Sequence, residues 1–465
     1  MKKRKVSSIL LSLALVFGLV TGCGGGDTEP AKEAESATET ETASEAEPSE
    51  TEAASDTAAA GDSGYATTGE EYEIHYIART NEDGTQIQAL YKIIDMYQEQ
   101  VNPNFSMNIE CIPDQQTHNQ KIRTLAASDE LPDWWTGDVD SFFYELWDAG
   151  MVANMGDIFK KLGIYDNFYW CALNYPSTND GEIAGMSWNA QGEYFWYNKD
   201  IFKAAGIEKT PETFDELLED CQKIQDSGVT PIGMEGPWRL LRYLGFIPWR
   251  LSGNDYIDKL ATGEAKYSDE LGIQAAQFIV DIGQYFQEGW TTADSTTVME
   301  QMKAGQFGMY YSGTWELPNF VDENRELLDN IGIFQLPLVG DGDVNGFADS
   351  FSNGGAPMFI SAEAAQEEEM MNFLAFFWDH YNDICLEMGY LPPGKPANMD
   401  LATDLQKELM DDFASVTSYA KCWDVVVDVA TSEVLLSETP NLTLGNLTPE
   451  EWAARLDEAV AMNIE

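Results

Sequence analysis

Basic residues are scarce in this chain: 26 Lys and Arg stand against 80 Asp and Glu, a formal net charge of −54. A surface of that sign repels nucleic acid and anionic lipid headgroups, so no nucleic-acid partner is expected, and a polyanionic ligand would need a local basic pocket. Histidine is scarcer still. His75, His118 and His380 lie far apart, with no metal-ligand spacing, so no metal and no cofactor is expected. No C-x-x-C occurs. Beyond Cys23 there are five Cys, at 111, 171, 221, 385 and 422, an odd number that leaves at least one unpaired. Buried free thiols are the reading for most of them. There is no G-x-S-x-G elbow, no Walker A loop and no G-x-G-x-x-G. A carboxylate pair suited to glycoside hydrolysis can always be found among 80 acidic residues, so that pattern carries no information. No tandem repeat is present.

What is present begins with an address. Lys2-Lys3-Arg4-Lys5 precedes an apolar run of 12 at residues 9–20, which closes on Val20-Thr21-Gly22-Cys23. A membrane span needs about 20 residues, and the layout is that of a secretory signal peptide over residues 1–22. A Cys directly after a small residue at the cleavage point resembles a bacterial lipobox. That resemblance implies that Cys23 becomes the lipidated first residue, holding the chain to the outer face of the cytoplasmic membrane. The alternative is an ordinary signal peptide with a stray Cys. Residues 24–71 carry 14 acidic residues, one Lys and a single aromatic, Tyr65. Such a segment cannot bury enough apolar surface to offset its ordering entropy, and like charges extend it. Residues 23–71 are therefore expected to form a disordered tether. Without the four basic leader residues the charge is −58; the tether accounts for −13, and the folded part is left near −45.

From Tyr72 onward the chain is long enough for two lobes with separate cores, and all 13 Trp lie there. Residues 72–79 alternate as a strand; Ile87, Leu90, Tyr91, Ile94 and Tyr97 follow at helical spacing; residues 105–111 alternate again. A strand-helix-strand unit of this kind predicts a parallel sheet. A helix over residues 116–127 leads to Trp134-Trp135, read as a short buried strand, with Asp138 just past its carboxyl end, where open α/β sheets bind ligands. Residues 180–185 read as a hairpin turn and return strand, and Asn198-Lys199-Asp200 opens a helix. Thr213-x-x-Glu216 reads as a capping box, before a helix whose stripe is Phe214, Leu217, Leu218, Cys221 and Ile224. Trp238-Arg239 and Trp249-Arg250 fall in a stretch rich in Gly and Pro that reads as irregular. The sequence Asp341-Gly-Asp-Val-Asn-Gly346 looks like half a calcium loop, but Ser352 stands where Glu is needed, so it reads as a turn, with a structural cation near residues 341–345 as the lesser alternative.

The most informative stretch is residues 304–318. A helical pattern ends at Lys303; Gly305 follows where a helix end wants a left-handed residue. Residues 307–311 are aromatic and strand-like, Ser312-Gly313-Thr314 breaks the strand, and Trp315 and Glu316 follow at once. An indole beside a carboxylate at a strand end suits the mouth of a site; Trp315 as a core plug is the competing reading.

Several segments, in order, resemble the extracellular solute-binding proteins of ABC importers, carbohydrate type (family 1). They are Asp180-Gly-Glu-Ile-Ala-Gly-Met186 with Glu193-Tyr-Phe-Trp-Tyr-Asn-Lys-Asp200; Thr210-Pro-Glu-Thr-Phe-Asp-Glu-Leu217, with Phe214 where the family usually has Trp; and residues 305–315, with Gly308 in place of the usual Ala. Asn353-Gly354-Gly355, Met371-Asn-Phe-Leu374 and Gly389-Tyr-Leu-Pro392 complete the match. The resemblance implies an α/β, two-lobe periplasmic-binding-protein-like fold (type II), with a ligand cleft and a hinge of several crossovers. The crossovers are expected near residues 188–192, 346–353 and 391–397. Lobe 1 would be residues 72–188 with about 353–395, and lobe 2 residues 189–350 with about 396–465. By the same resemblance, Trp315 matches a position whose indole commonly stacks on a sugar ring, and Asp138 one that often meets ligand hydroxyls.

A sugar offers apolar C–H faces and a rim of hydroxyls, which aromatic faces and Asp, Glu, Asn or Arg side chains match. On position alone, at strand ends or in glycine-rich loops near the expected hinge, Arg79, Trp188, Trp238, Trp249, Glu316, Asp349 and Asn353 join the candidate ligand residues. Trp134, Trp196 and Trp378 are assigned to the core. The expectation is a lipid-anchored, monomeric, non-enzymatic receptor on the extracellular or periplasmic side. It captures a carbohydrate, an oligosaccharide, for the permease of an ABC importer. The alternatives are an anchored carbohydrate-active enzyme, and a binding protein for peptides or other nitrogenous solutes, which Arg239 and Arg242 keep open.

Overall fold

The computed structural model of the chain describes residue 65 and residues 69–178, 180–351, 357–420 and 423–463. The leader, Cys23, most of the tether, Asn353 with its neighbouring glycines, and Cys422 lie outside the described residues. All described residues belong to one compact unit, Ala59–Glu465. Packing starts before the first strand. The ring of Tyr65 sits 5.2 Å from that of Phe376 and its hydroxyl donates to Asp379. One residue of the segment expected to be a tether is thus packed on the fold.

Two four-stranded sheets organise the rest. In the first, β1 (Tyr72–Ala78) pairs in parallel with β2 (Phe105–Cys111), from Tyr72 opposite Phe105 to Ala78 opposite Cys111. The connecting helix Thr85–Gln100 buries Ile87, Leu90, Ile93, Ile94 and Tyr97. This is the strand-helix-strand unit expected from the alternation. β3 (Trp134–Thr136) lies on the other side of β1, parallel to it. In the second sheet, β4 (Glu193–Asn198) is central and antiparallel to both its neighbours. β5 (Thr230–Gly233) runs parallel to β6 (Phe307–Gly313), and β7 (Ile331–Phe334) closes the far edge. A short pair joins β8 (Ser350–Phe351) to β10 (Tyr419–Ala420), and β9 (Met358–Ile360) returns to the first sheet, antiparallel to β3. Each sheet has its own core. Tyr76, Trp134, Phe373 and Phe377 fill the first, and Phe195, Ile232, Tyr311 and much of the helix Gly236–Ser252 fill the second.

Local chemistry explains the element ends. Asn198 caps the helix Lys199–Ala204 by accepting from Asp200 N and Ile201 N. Thr213 caps the helix Phe214–Asp226 through Glu216 N, but the Glu216 carboxylate reaches Glu212 N, so only half of the expected capping box forms. Gly305 adopts φ +72 at the end of the helix Ser295–Lys303, as its position requires. The hairpin expected over residues 180–185 reduces to a single bridge, Ser177 to Ile183. The stretch read as irregular is a helix, Gly236–Ser252, carrying both Trp238-Arg239 and Trp249-Arg250. Pro237 sits in its first turn, where a missing N–H does no harm, and twelve of its 17 residues are buried. A helix buried nearly all round shows no apolar period.

The chain passes between the two cores three times. Met186 exchanges backbone hydrogen bonds with Met358 in the first sheet, and Gly192 O accepts from Thr314 N in the second. The second passage runs from β7 to β9. Its loop is held by Arg250, a fully buried guanidinium that donates to Leu336 O, Pro337 O (3.1 Å), Asn345 Oδ1 (3.0 Å) and Gly346 O (2.7 Å). Two oxygens of the apparent calcium half-loop thus receive an arginine. The third passage follows the helix Glu368–Glu387; there Pro392 O accepts from Ala190 N, side by side with the first passage.

Candidate functional site

Two groups of polar and aromatic side chains stand at strand ends beside these passages. In the second sheet, β6 ends at Gly313 and the 3₁₀ turn Thr314–Asn319 presents Trp315, half-buried, and Glu316, buried. Thr314 is bonded to Gly192, so Trp315 stands directly at the first passage. The indole lies on Gly313: a Cβ there would come within 2.0 Å of Cζ3. Across from it the helix Gly236–Ser252 begins at Gly236, φ +63, and exposes Trp238, 41 % accessible. The Arg239 guanidinium lies over both rings, 4.2 Å from the Trp238 centroid and 5.9 Å from that of Trp315, a cation–π arrangement.

Beneath this lies a buried charged floor. Arg239 Nε donates to Glu235 Oε1 at 2.9 Å, and its Nη2 bonds the same oxygen. Arg242 Nε donates to Glu193 Oε1 at 3.1 Å, and Arg239 Nη1 is 3.9 Å from Glu193 Oε2. Tyr310 OH donates to Glu235 Oε2 at 2.8 Å, while Glu316 accepts from Ser312 Oγ at 3.1 Å and from Asn319 Nδ2 at 2.8 Å. Burial opposes the charge on Arg239, but Glu235 and Glu193 outweigh it, and the pKa ends above the ordinary value. Burial likewise pushes the Tyr310 hydroxyl up, so it stays a neutral donor. Removing one member of such a buried set strands its partner, at a cost of about 3–5 kcal/mol. Through Arg239 the floor links both indoles to Glu235, Tyr310 and Glu193.

In the first sheet, Arg79 follows β1 and Asp138 follows β3. They form a bidentate pair, Nη1 to Oδ2 at 2.6 Å and Nη2 to Oδ1 at 3.0 Å, and Gln115 Nε2 reaches Oδ2 at 3.4 Å. Burial disfavours the charged Arg79, yet the bond and charge of Asp138 hold its pKa above the usual value. Gly137 N donates to Pro357 O, which ties this loop to the second passage. A pocket opens beside Asp138, walled by Trp135, Phe142, Phe143 and Phe359, with His118 and Asn119 among its polar lining.

The structure thus brings Trp315, Glu316 and Trp238 together, and separately pairs Arg79 with Asp138. It places the other described candidates differently. Trp188 is buried, stacked on Trp134 with centroids 6.4 Å apart. Trp249 is fully buried in the second core. The Asp349 carboxylate accepts from Gly346 N, Thr417 N and Ser418 N, fastening the second passage to residues 417–418. Glu193, Glu235, Tyr310 and Gln115 were not anticipated. The spacing Glu235 to Arg239 is an i, i+4 signal, but only once the helix is known. Trp134, Trp196 and Trp378 are core residues, as expected. Among the described residues no cluster of three or more His, Cys, Asp or Glu could hold a metal ion, and Cys111, Cys171, Cys221 and Cys385 are free thiols.

A family model described as bacterial extracellular solute-binding protein matches residues 81–378, more than half of the chain. The chain belongs to this family. Among the relatives of this solute-binding protein, the sn-glycerol-3-phosphate-binding periplasmic protein UgpB of Brucella abortus is 26 % identical over 250 residues, covering 49 % of this chain and 53 % of that protein. The multiple sugar-binding protein of Streptococcus mutans is 25 % identical over 299 residues, 62 % of this chain and 67 % of that protein. The alignments span about half to two thirds of the length of the curated relatives. Among solved structures, a chitin oligosaccharide binding protein superimposes with a TM-score of 0.67 at 20 % identity, covering 84 % of this chain and 98 % of that one. The solute-binding protein therefore has the expected two-lobe α/β fold of type II. Among its described residues no helix is long and apolar enough to cross a membrane.

Proposed function

We propose that this solute-binding protein is the receptor of an ABC importer, held to the outer face of the cytoplasmic membrane by lipid on Cys23. It captures a carbohydrate, an oligosaccharide, and delivers it to the permease. The ligand lies between lobe 1 (residues 72–188 with about 353–395) and lobe 2 (residues 189–350 with about 396–465), and closure about the three passages traps it. Trp315, Trp238, Glu316, Arg79 and Asp138 face it. The protein acts as a monomer and performs no covalent chemistry. The observation that carries this reading is the pair of indoles Trp315 and Trp238, set against glycines and sharing the Arg239 guanidinium above a buried polar floor. Two aromatic faces fit pyranose rings, and carboxylate oxygens fit their hydroxyls. The name of the Streptococcus mutans relative agrees. Arg239 and Arg242 are both engaged by carboxylates, which weakens the peptide-clamp alternative.

Intrinsic tryptophan fluorescence and melting temperature, screened against neutral oligosaccharides, amino acids and peptides, test the reading. A saturable response to one glycan class is expected, with the glycan recovered intact. Trp315→Ala is expected to abolish the fluorescence response with the fold retained. A response confined to peptides would sink the carbohydrate assignment, and recovery of a cleaved glycan would make the protein an enzyme.

A further inference from the structure

The charge class of a ligand is decided by the ionised groups that a cleft leaves unneutralised. We propose, resting on the carbohydrate-receptor reading, that Asp138 is an anion gate: by occupying both arms of Arg79 it reserves the cleft for uncharged glycans and turns away phosphorylated ones. The planar fork of an arginine at a strand end is a ready receptor for phosphate. Here both arms are taken by Asp138, at 2.6 and 3.0 Å, with the two side chains 13 % and 25 % exposed. Asp140 adds a second negative charge near Arg79, while its Oδ1 caps the helix Ser141–Asp148 through Phe143 N at 2.9 Å.

The opposite half of the site carries more carboxylate than guanidinium, and its one buried arginine nitrogen without a hydrogen bond, Arg239 Nη1, lies 3.9 Å from Glu193 Oε2. Three carboxylates, Glu193, Glu235 and Glu316, face two guanidiniums, Arg239 and Arg242, and all five are buried. The nearby Arg123 is exposed and stacked 4.6 Å over the Phe142 ring, and Lys121 is bound to Glu110. A phosphate entering this cleft meets an excess of carboxylate, inside a folded part already near −45. Sugar hydroxyls fare differently. A carboxylate engaged by arginine keeps lone pairs, and a hydroxyl can donate to them; a phosphate dianion brings only acceptors.

Isothermal titration with glucose 6-phosphate and sn-glycerol 3-phosphate, alongside neutral oligosaccharides, tests the gate. Wild-type protein is expected to show no measurable heat with either phosphate. Asp138→Asn keeps the shape and frees the fork, and should gain at least about tenfold in phosphate affinity, falling with added salt. Arg79→Gln added to Asp138→Asn should abolish the gain. Asp138→Ser carries the same test if the Asn variant does not fold. Phosphate binding to wild type as tight as to Asp138→Asn overturns the gate, as does a folded Asp138→Asn or Asp138→Ser variant with no gain. If neutral glycans still bind wild type in those cases, the carbohydrate reading survives. A response to peptides with none to any glycan overturns both.

Discussion

Gly313→Ala puts the position of Trp315 to the test without touching the indole itself. A Cβ at residue 313 would lie 2.0 Å from Cζ3 and 2.3 Å from Cε3 and Cη2 of Trp315. Carbon atoms rest about 3.5–4.0 Å apart, so the ring must retreat by roughly 1.5 Å or more. It has room to do so, since Trp315 is only half-buried. The backbone of Gly313 is extended, φ −91 and ψ 178, which alanine adopts without strain. The fold should therefore hold, with a melting temperature close to wild type. The site should not. A sugar face covering about 60 Å² of indole at about 25 cal/mol per Å² is worth about 1.5 kcal/mol, roughly tenfold in Kd. Titration of the protein with its best glycan should show that loss, and the double variant Gly313→Ala/Trp315→Ala should be no weaker than Trp315→Ala alone, because both remove one contact. Wild-type affinity in folded Gly313→Ala would refute the claim that the indole works from where it lies. A large fall in melting temperature would refute the claim that it can yield.

Two further outcomes concern stability. Asp412, on the helix Asp404–Ser415, accepts from Gln335 Nε2 at 2.9 Å and Tyr194 OH at 3.4 Å, and burial, with Glu408 and Asp411 nearby, raises its pKa above the ordinary 3.8. A raised carboxyl stabilises the fold below its unfolded pKa and loses that contribution as pH rises through the folded value. Asp412→Asn should melt higher than wild type at pH 7, with the difference vanishing below about pH 4; a pH-independent difference would contradict the assignment. Arg250, whose pKa burial lowers to about 10, supplies four buried acceptors that a lysine cannot reach together. Arg250→Lys should lose about 2–4 kcal/mol in denaturant unfolding, whereas Arg455→Lys, at an exposed pair with Glu438, should leave the midpoint near wild type.

Short-range patterns were legible. The alternation of β1 and β2, the helix between them, the Trp134-Trp135 strand and the glycine end before β6 are each fixed within a few residues by period or turn chemistry. The helix Gly236–Ser252 was hidden by its own burial, since core on nearly every side erases the apolar stripe, and Pro237 and Pro248 read as breakers. The charged floor was hidden by distance along the chain: Arg242 and Glu193 are 49 residues apart, and Tyr310 and Glu235 are 75. Composition could count the tryptophans but could not distinguish Trp238, which faces solvent, from Trp249, one helix end away and fully enclosed. Asp349 was recognisable as a loop residue of consequence, yet its carboxylate is spent on three backbone N–H groups. Gly308, which departs from the usual Ala, has its reason in packing: a Cβ would meet Ile224 Cδ1 at 2.8 Å and Pro231 O at 3.0 Å.

The helix Gly236–Ser252 has a mechanical consequence. One end carries Trp238 and Arg239; the other carries Arg250, which grips the loop leading into the second passage between the lobes. Seventeen residues span about 25 Å, with Pro248 inside the helix near the Arg250 end. On the proposed reading, a ligand seated at the first end is joined by one element to the loop held at the second, where Val344, 61 % exposed, is bonded through its backbone to Arg250. A reporter group at that surface position is expected to respond to occupancy of the proposed cleft.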